Sequence, residues 1–246
     1  YGVDLNEEAV EICRLSLWIK TAEHGKILTD LDHTIRVGNS VVDDPAVHPR
    51  AFDWRAAFPE VFADGGFDVV VGNPPYIRQE WIAQYKEHFE KRFRVYSGTA
   101  DLCLYFIEQG LQVLRPGGRL GFITSGTFAR GNFAVPFRQW LPTVARFRSL
   151  VNFGENQPFE GAEMVYPTIS ILEKKNEPAT FPTLFIHEKI PPSIEEAFAG
   201  DSIICDESLF AESEWKFQPR EITNLFHKVT SAGRSLGETA GKRIFY

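Results

Sequence analysis

The sequence predicts a doubly wound α/β fold with a mostly parallel sheet, and three observations support this. Short apolar segments alternate with helical ones in the order strand, helix, strand, strand, helix, strand, which is typical of such a sheet. Val69, Val70 and Val71 form an apolar run without alternation, as in a central parallel strand that is covered on both faces. The chain has 246 residues, 43% of them apolar, which suits one large domain or one domain with part of a second.

The first half of the chain supplies three strands and one long helix. YGVDL at the start predicts a short buried strand, and Asn6 is a suitable N-cap for the helix that follows and ends at Gly25. TIRVGNS (34–40) predicts a second strand, and GGFDVVVGNPPY predicts the third after a short helix near 54–62. The long helix has a broad apolar face, formed by Ala9, Ile12, Cys13, Leu15, Leu17 and Ile19.

The second half continues the alternation and then changes in composition. Residues 101–114 predict a helix, closed by Pro116 and Gly117 before a strand at 119–124. NFAVPFRQWL predicts another helix, followed by strands at 148–153 and 168–174 that we expect to close one edge of the sheet antiparallel. From about residue 176 the chain reads as a connector with a short strand, TLFIHE, a helix at 215–230 and a final strand-like segment. We therefore expect one domain at 1–175 and a second unit at 176–246.

Composition excludes several classes of site. The chain carries 26 basic and 33 acidic residues, a net charge of −7, so any binding of nucleic acid depends on a local basic surface. Three widely separated cysteines fit a reduced intracellular protein and argue against a zinc cluster or a disulfide framework. The six histidines form no metal-binding pattern, so we predict no metal. No run is long enough to span a membrane, and we expect a cytoplasmic location.

The third predicted strand ends directly in Asn73-Pro74-Pro75-Tyr76. Two adjacent prolines stiffen the backbone, and each one pushes the residue before it towards extended geometry. Asn73 and Tyr76 are therefore held on a short rigid loop at the carboxyl end of a strand, where open α/β sheets bind their ligands. The alternative is a turn that only ends the strand, since Asn-Pro and Pro-Pro are common in loops.

The order of five motifs carries a family resemblance. YGVDLN, GNS, FDVVVGNPPY, LRPGGRLGFIT and FGENQPFEG together resemble the gamma-class DNA adenine-N6 methyltransferases of restriction–modification systems, above all the type IIG and TaqI-like enzymes. The resemblance covers residues 1–175. It implies a Rossmann-like methyltransferase catalytic domain there, with S-adenosylmethionine as cofactor. Residues 176–246 then correspond to a connector and the beginning of a target-recognition domain.

The resemblance implies a cofactor site built from Asp4, Leu5, Asn39, Ser40 and Asn73. A carboxylate at the position of Asp4 can accept hydrogen bonds from both ribose hydroxyls, although it could instead only cap the following helix. Asn39 matches a position that is usually acidic and contacts the adenine amino group. Asparagine keeps the acceptor and loses the charge, and its alternative role is that of a turn residue.

The Asn-Pro-Pro-Tyr loop is also implied to be the catalytic motif. The Asn73 side-chain oxygen and the Pro74 carbonyl can accept the two N6 hydrogens of adenine, which frees the nitrogen lone pair for in-line attack on a methyl group, and Pro75 fixes the aim of that carbonyl. Tyr76 can stack on an adenine that has been flipped out of the duplex. Phe159 matches the aromatic residue that covers the other face, with a core phenylalanine as its alternative.

Two further features bear on function. The basic stretches 86–94 and 138–148 interleave cations with aromatic residues, as a phosphate-contacting face can, although such runs are usually solvated helix faces. The glycine-rich cofactor loop of the family normally precedes the strand that carries Asp4, and the sequence begins at Tyr1. We therefore expect these residues alone to bind the cofactor weakly or not at all.

These observations predict a DNA methyltransferase that acts on adenine N6 in a specific sequence as part of a restriction–modification system. Its partners would be double-stranded DNA with a flipped adenine and a restriction nuclease, fused or separate, with no membrane. Two alternatives remain open at this point. The same loop chemistry serves methylases that act on RNA or on a protein glutamine, and a methylase fold can also act as a non-catalytic module that binds DNA or a partner.

Overall fold

The structure, a computed structural model, describes residues 1–22, 30–75, 77, 79–159, 166–175, 177–210 and 214–232. Eight strands and eight α-helices lie within these ranges. The strands are β1 (Gly2–Asp4), β2 (Ile35–Val37), β3 (Phe67–Gly72), β4 (Leu114–Ser125), β5 (Arg146–Asn152), β6 (Pro167–Glu173), β7 (Thr180–Phe185) and β8 (Ile203–Asp206). The helices are α1 (Glu7–Thr21), α2 (Trp54–Ala57), α3 (Pro59–Ala63), α4 (Lys86–Arg92), α5 (Leu102–Val113), α6 (Val135–Trp140), α7 (Ile194–Asp201) and α8 (Arg220–Ala232).

The strands form one large sheet and one small one. The large sheet has six strands in the order β3-β4-β6-β5-β7-β8, and β1 and β2 pair in parallel as a second sheet. Pairing is parallel between β3 and β4 and between β5 and β7, while β6 and β8 run antiparallel to their neighbours. Four of the six strands therefore point the same way, and the predicted α/β class with a mostly parallel sheet is confirmed.

The shared direction of β3, β4, β5 and β7 gives the sheet two distinct edges. We call the edge at which these four strands end the carboxyl edge, and the opposite one the amino edge. Gly72, the last residue of β3, lies beside Phe122 of β4. Asn73 and the loop after β4 therefore leave the sheet at the same edge from neighbouring strands. This is where open α/β sheets place their binding residues.

The antiparallel strands do not lie where the sequence led us to expect. β6 was predicted to close one edge, and it lies inside the sheet between β4 and β5. β7 and β8 also belong to this sheet although they follow the predicted boundary at 175/176. The proline-rich composition after residue 175 resembles a linker, but β7 covers the hydrogen-bonding edge of β5. The large sheet thus continues to Asp206, beyond the boundary that the sequence predicted.

The core is organised around the packing of α5 on β4. Helix α5 is buried along almost its whole length. Gly110 faces β4 so closely that a Cβ atom there would lie 2.4 Å from Cδ1 of Leu120. Since real side-chain carbons do not approach to that distance, glycine is what allows this helix to lie directly on the sheet. The contact fixes α5 relative to the carboxyl edge.

The apolar run of β3 is more exposed than its composition predicts. Val69 and Val71 are 59% and 76% exposed, which contradicts the expectation of a strand covered on both faces. In the described part of the chain β3 pairs only with β4, so it lies at the border of the large sheet. The surface beyond it faces the cavity described below.

Helix α1 also buries less than its pattern predicts. Only Val10 is buried in this helix, while Ile12, Leu15 and Ile19 are 65%, 55% and 69% exposed. The helix is held by polar contacts instead: the guanidinium of Arg14 donates to the Ile35 carbonyl at 2.5 and 3.1 Å. Apolar spacing alone predicts a helix and does not show that its apolar face is covered.

A buried arginine fixes the loop that follows β4. The side chain of Arg138 in α6 is only 2% exposed, and its Nη1 donates to the carbonyls of Phe128 and Gly131 at 2.8 and 2.9 Å. Burial lowers the pKa of this guanidinium. The two carbonyls belong to residues on either side of Arg130, so the loop at 126–131 is held from within the protein.

Replacement of Arg138 by methionine should lower the free energy of unfolding by about 2–4 kcal/mol, because one buried and one partly buried carbonyl lose a charged donor while the apolar stem is kept. Denaturant unfolding followed by circular dichroism measures this. Arg94 is exposed, so Arg94→Met is the matched control and should change the stability by less than about 0.5 kcal/mol. Equal stability of R138M and wild type would contradict the assigned role.

Candidate functional site

The loops after β1, β2 and β3 line one large cavity. Its volume is about 1850 Å³, which exceeds the usual range of ligand pockets. The residues predicted from sequence that line it are Asp4, Leu5, Asn39, Ser40, Asn73, Pro74 and Pro75. Three segments that are far apart in the sequence are thus brought to one site.

Asp4 lies at the carboxyl end of β1, and one of its carboxylate oxygens accepts a hydrogen bond from the backbone two residues later. Its Oδ1 accepts the Asn6 backbone N–H at 2.7 Å, and the N-cap of α1 is Asn6, whose Oδ1 accepts Ala9 N–H. Within the described residues the second oxygen of Asp4 has no hydrogen-bond partner, and Asp4 lines the cavity. The carboxylate thus combines the local role with an oxygen that remains available to a ligand.

Asn39 and Ser40 lie just beyond the end of β2, beside Asp4. The register pairs Asp4 with Val37, and Gly38 N–H donates to the Asp4 carbonyl at 2.9 Å. Asn39 is only 9% exposed, and its Oδ1 accepts Val41 N–H at 3.2 Å. It therefore acts as a turn asparagine, and the same oxygen has a second lone pair for a ligand.

The loop after β3 is anchored on both sides. Pro74 is buried whereas Asn73 and Pro75 are exposed. The Pro75 carbonyl accepts Ile77 N–H at 3.0 Å, and the Ile77 carbonyl accepts the N–H of Leu102 at 3.4 Å, at the start of α5. The position of the loop is therefore tied to the helix that packs on β4.

Apolar walls complete the cavity, and the sequence reasoning missed them. One face of α5 lines it at helical spacing, through Leu102, Phe106, Gln109, Gly110 and Val113. Phe122 of β4 lies behind Gly72, where a Cβ atom would be 3.0 Å from its ring. The sequence did contain a signal for this wall. Helix α5 is apolar on more than one side, but only one side of a helix can pack on β4, so a second apolar side was left to line a cavity.

The two predicted stacking residues are not both located. Tyr76 lies outside the described residues. Phe159 is 43% exposed on the loop after β5, so it is not a core phenylalanine, and it does not line the cavity. β5 is three strand positions from β3, or about 14 Å. The loop that carries Phe159 is held towards β7, because Asn156 Nδ2 donates to the Ile186 carbonyl at 3.0 Å.

The predicted basic face is not formed by the stretch 138–148. Arg138 is buried. Arg146 begins β5 and therefore lies at the amino edge, where it and Arg148 pair with Glu173 at 3.0 and 3.6 Å. The hydrogen bond from Arg146 lowers the pKa of Glu173. The stretch 138–148 therefore does not form the phosphate-contacting face that was one reading of its charges, since the spacing of charges does not show at which end of a strand they lie.

The arginines of the stretch 86–94 do not line the large cavity, although Phe89 does. Arg92 bonds Asp43 at 3.0 Å and Gln112 at 2.7 Å, near the end of α5. Arg92, Arg94 and Lys174 line a separate cavity of about 520 Å³, where the Lys174 ammonium caps α5 by donating to the Leu114 carbonyl at 2.5 Å. Leu114 begins β4, so these cations belong to the amino edge.

The large cavity carries polar groups among apolar and aromatic ones. Its lining includes the carboxylate residue Asp4, the amide residues Asn39 and Asn73, and the aromatic side chains of Phe106 and Phe122. Among the described residues no group of side chains could hold a metal ion, and no helix is long and apolar enough to cross a membrane.

Comparison with known proteins gives partial relatives. The type II methyltransferase M.XhoI of Xanthomonas vasicola is 38% identical over 109 residues, 44% of this chain and 20% of the relative. The restriction enzyme and methyltransferase RM.Eco57I of Escherichia coli is 29% identical over 193 residues, 72% of this chain and 19% of the relative. The chain thus spans about a fifth of the length of these two relatives.

Two solved structures share the fold. The DrdV–DNA complex aligns with 89% of this chain and 25% of its own at a TM-score of 0.62 and 12% identity. A nuclease-deletion mutant of the Type ISP enzyme LlaGI, bound to a DNA substrate mimic, aligns with 90% of this chain and 21% of its own at 0.58 and 15%.

The family comparison matches the region that builds the cavity. The model of the Eco57I restriction-modification methylase matches residues 1–159, which include every predicted site residue. This confirms the resemblance that the order of the motifs indicated. The chain therefore belongs to the Eco57I restriction-modification methylase family.

Proposed function

We propose that this chain is the catalytic core of a site-specific DNA methyltransferase that methylates adenine at N6 with S-adenosylmethionine. The observation that carries the proposal is that Asp4 and Asn73 line one cavity although they lie on different sheets. A nucleoside-binding carboxylate and a base-binding amide are therefore joined by a continuous space. Membership of a restriction-modification methylase family supports DNA as the substrate.

The cofactor end of the cavity is formed by the loops after β1 and β2. The free oxygen of Asp4 is suited to the ribose hydroxyls, and Asn39 offers an acceptor for the adenine amino group, with Leu5 and Ser40 beside them. When bound, S-adenosylmethionine supplies a methyl group on a positively charged sulfur. The residues of this chain hold that nucleoside in one orientation, which converts a bimolecular encounter into a positioned one.

The target end is the loop after β3. The Asn73 side-chain oxygen and the Pro74 carbonyl accept the two hydrogens of adenine N6, so that its lone pair is directed at the methyl group. The buried ring of Pro74 and the fixed φ of Pro75 keep the acceptors aimed before the substrate arrives. As the nitrogen–carbon bond forms, the carbon–sulfur bond of the sulfonium would break and leave a neutral thioether. The methylated nitrogen would then lose its extra proton to water, so no strong base is needed in the loop.

A base inside a duplex does not reach this loop, so the adenine has to be flipped out at a cost of a few kcal/mol. Stacking on Tyr76, and on Phe159 from the opposite side, would return about 1–3 kcal/mol per ring. The exposed ring of Phe159 at the carboxyl edge supports this role. DNA and a restriction nuclease, fused or separate, are then the partners, in the cytoplasm of the host cell.

Replacement of Asn73 by alanine in the natural full-length protein should reduce methyl transfer to DNA by about 10²–10³-fold, because one aimed acceptor is lost. Tritium transfer from labelled S-adenosylmethionine to DNA measures this, and nucleoside mass spectrometry identifies the product as N6-methyladenine. Asn224→Ala removes an exposed asparagine on α8 and should keep the wild-type rate.

The same assay separates the alternatives. Label on RNA or on a protein glutamine, with none on DNA, would change the substrate class. A wild-type protein that binds DNA without transfer to any of the three would favour a binding module. Full activity of N73A would exclude the role given to this side chain.

Replacement of Asp4 by asparagine should weaken cofactor binding by about 10–100-fold, since a charge-assisted hydrogen bond contributes about 1.5–3 kcal/mol. The amide oxygen still accepts Asn6 N–H, so the fold is kept. Isothermal titration of the full-length protein with S-adenosylmethionine gives the dissociation constant. Glu90→Gln makes the same change of charge at an exposed site in α4 and should leave the dissociation constant unchanged. Equal affinities of D4N and wild type for S-adenosylmethionine would contradict the role assigned to Asp4.

A further inference from the structure

Arg130 is an exposed cation five residues beyond the end of β4, on the loop that leaves the sheet at the carboxyl edge. Neither an ion pair nor a side-chain hydrogen bond ties its guanidinium to another described residue. β3 and β4 are neighbours, so the loop that carries Arg130 leaves the sheet about 4.8 Å from the one that carries Asn73.

The backbone around Arg130 is fixed at every neighbouring carbonyl. Arg138 binds the carbonyls of Phe128 and Gly131 at 2.8 and 2.9 Å. The carbonyl of Ala129 accepts the N–H of Trp215 at 2.8 Å, and Arg130 N–H donates to the Thr127 carbonyl at 3.1 Å. Trp215 itself is 2% exposed. The arginine therefore projects from a rigid base.

The start of the same loop is anchored to β6. Gly126 N–H donates to the Tyr166 carbonyl at 2.8 Å, and this carbonyl also accepts the Thr168 hydroxyl at 3.0 Å. Tyr166 has φ of 53°, a left-handed conformation that a tyrosine keeps only when its surroundings enforce it. A Cβ atom on Gly126 would lie 2.5 Å from Oγ1 of Thr168, so the turn is tight as well.

A free guanidinium on a rigid loop beside a nucleotide-binding loop has one chemistry that fits it. Arginine binds phosphate oxygens through two parallel N–H groups, and a preorganised arginine loses little entropy on binding. Glu155 and Glu188 follow β5 and β7 at the same edge, so the edge as a whole is not basic. A phosphate contact is therefore expected at one point and not along the whole edge.

We propose that Arg130 binds a backbone phosphate of the DNA strand next to the nucleotide that enters the Asn73 loop, and that Arg138 positions it by clamping the loop. This inference rests on the proposed function. It replaces the basic stretches that the sequence suggested, because those cations lie at the amino edge or are buried. Arg130 holds the strand in register, and Asn73 acts on the base.

The test uses the natural full-length protein. Genomic DNA that lacks N6-methyladenine is methylated first, which identifies the target sequence. A short unmethylated duplex with that sequence is then the substrate for all further measurements. Affinity for the duplex is measured over a range of salt concentrations. Loss of one phosphate contact lowers the slope of log K against log salt by about 0.9. We expect R130Q to lower this slope by that amount. It should also raise KM for DNA about tenfold and leave KM for S-adenosylmethionine unchanged. R130K should keep the slope of the wild type.

Arg94→Gln is the matched control, because it removes the charge of an exposed arginine at the amino edge. It should bind and methylate as the wild type does. If R130Q keeps the wild-type slope while the wild type methylates DNA, this inference is wrong and the proposed function stands. An equal loss in R94Q would show an effect of total charge and would also overturn it. If the wild type neither binds nor methylates DNA, both proposals fail.

Discussion

The close packing of α5 on β4 is the constraint on which the site depends. Gly110 lets the helix lie against Leu120, and this contact sets the height of the first turn of α5 above the carboxyl edge. That turn receives the loop after β3 through the Leu102 N–H, while the face of α5 next to it forms the wall of the cavity. A bulkier residue at this position would displace the helix, its cavity wall and the loop together.

The sequence predicted the parts that depend on local chemistry. Apolar runs, caps and turn residues located all the strands that line the site, and the two prolines showed that Asn73 is held rigidly. What it missed depends on contacts between distant segments. The exposure of Val69 and Val71 follows from which strands flank β3, and the burial of Arg138 follows from carbonyls that approach it from a neighbouring loop. Neither is encoded in the spacing of residues along the chain.

The arginines of this chain have different structural roles, and most of these roles do not leave the charge available to a ligand. At the amino edge Arg146 and Arg148 are paired with Glu173, so their charges stabilise strand ends and are not available to a ligand. In α6 a guanidinium is buried entirely and serves as a multiple donor to carbonyls. Only a cation that is both exposed and without a carboxylate partner is free to bind an anion. The number of basic residues in a segment therefore says little about whether it binds DNA.

The continuation of the sheet past residue 175 has a consequence for the exchange of recognition segments between relatives. A chimera joined at 175/176 would discard β7 and β8 and leave the hydrogen-bonding edge of β5 open. It would also remove Trp215, whose ring packs 5.8 Å from Phe137. A junction after Pro219 keeps both strands and this indole with the large sheet, so the two parents would meet where α8 begins.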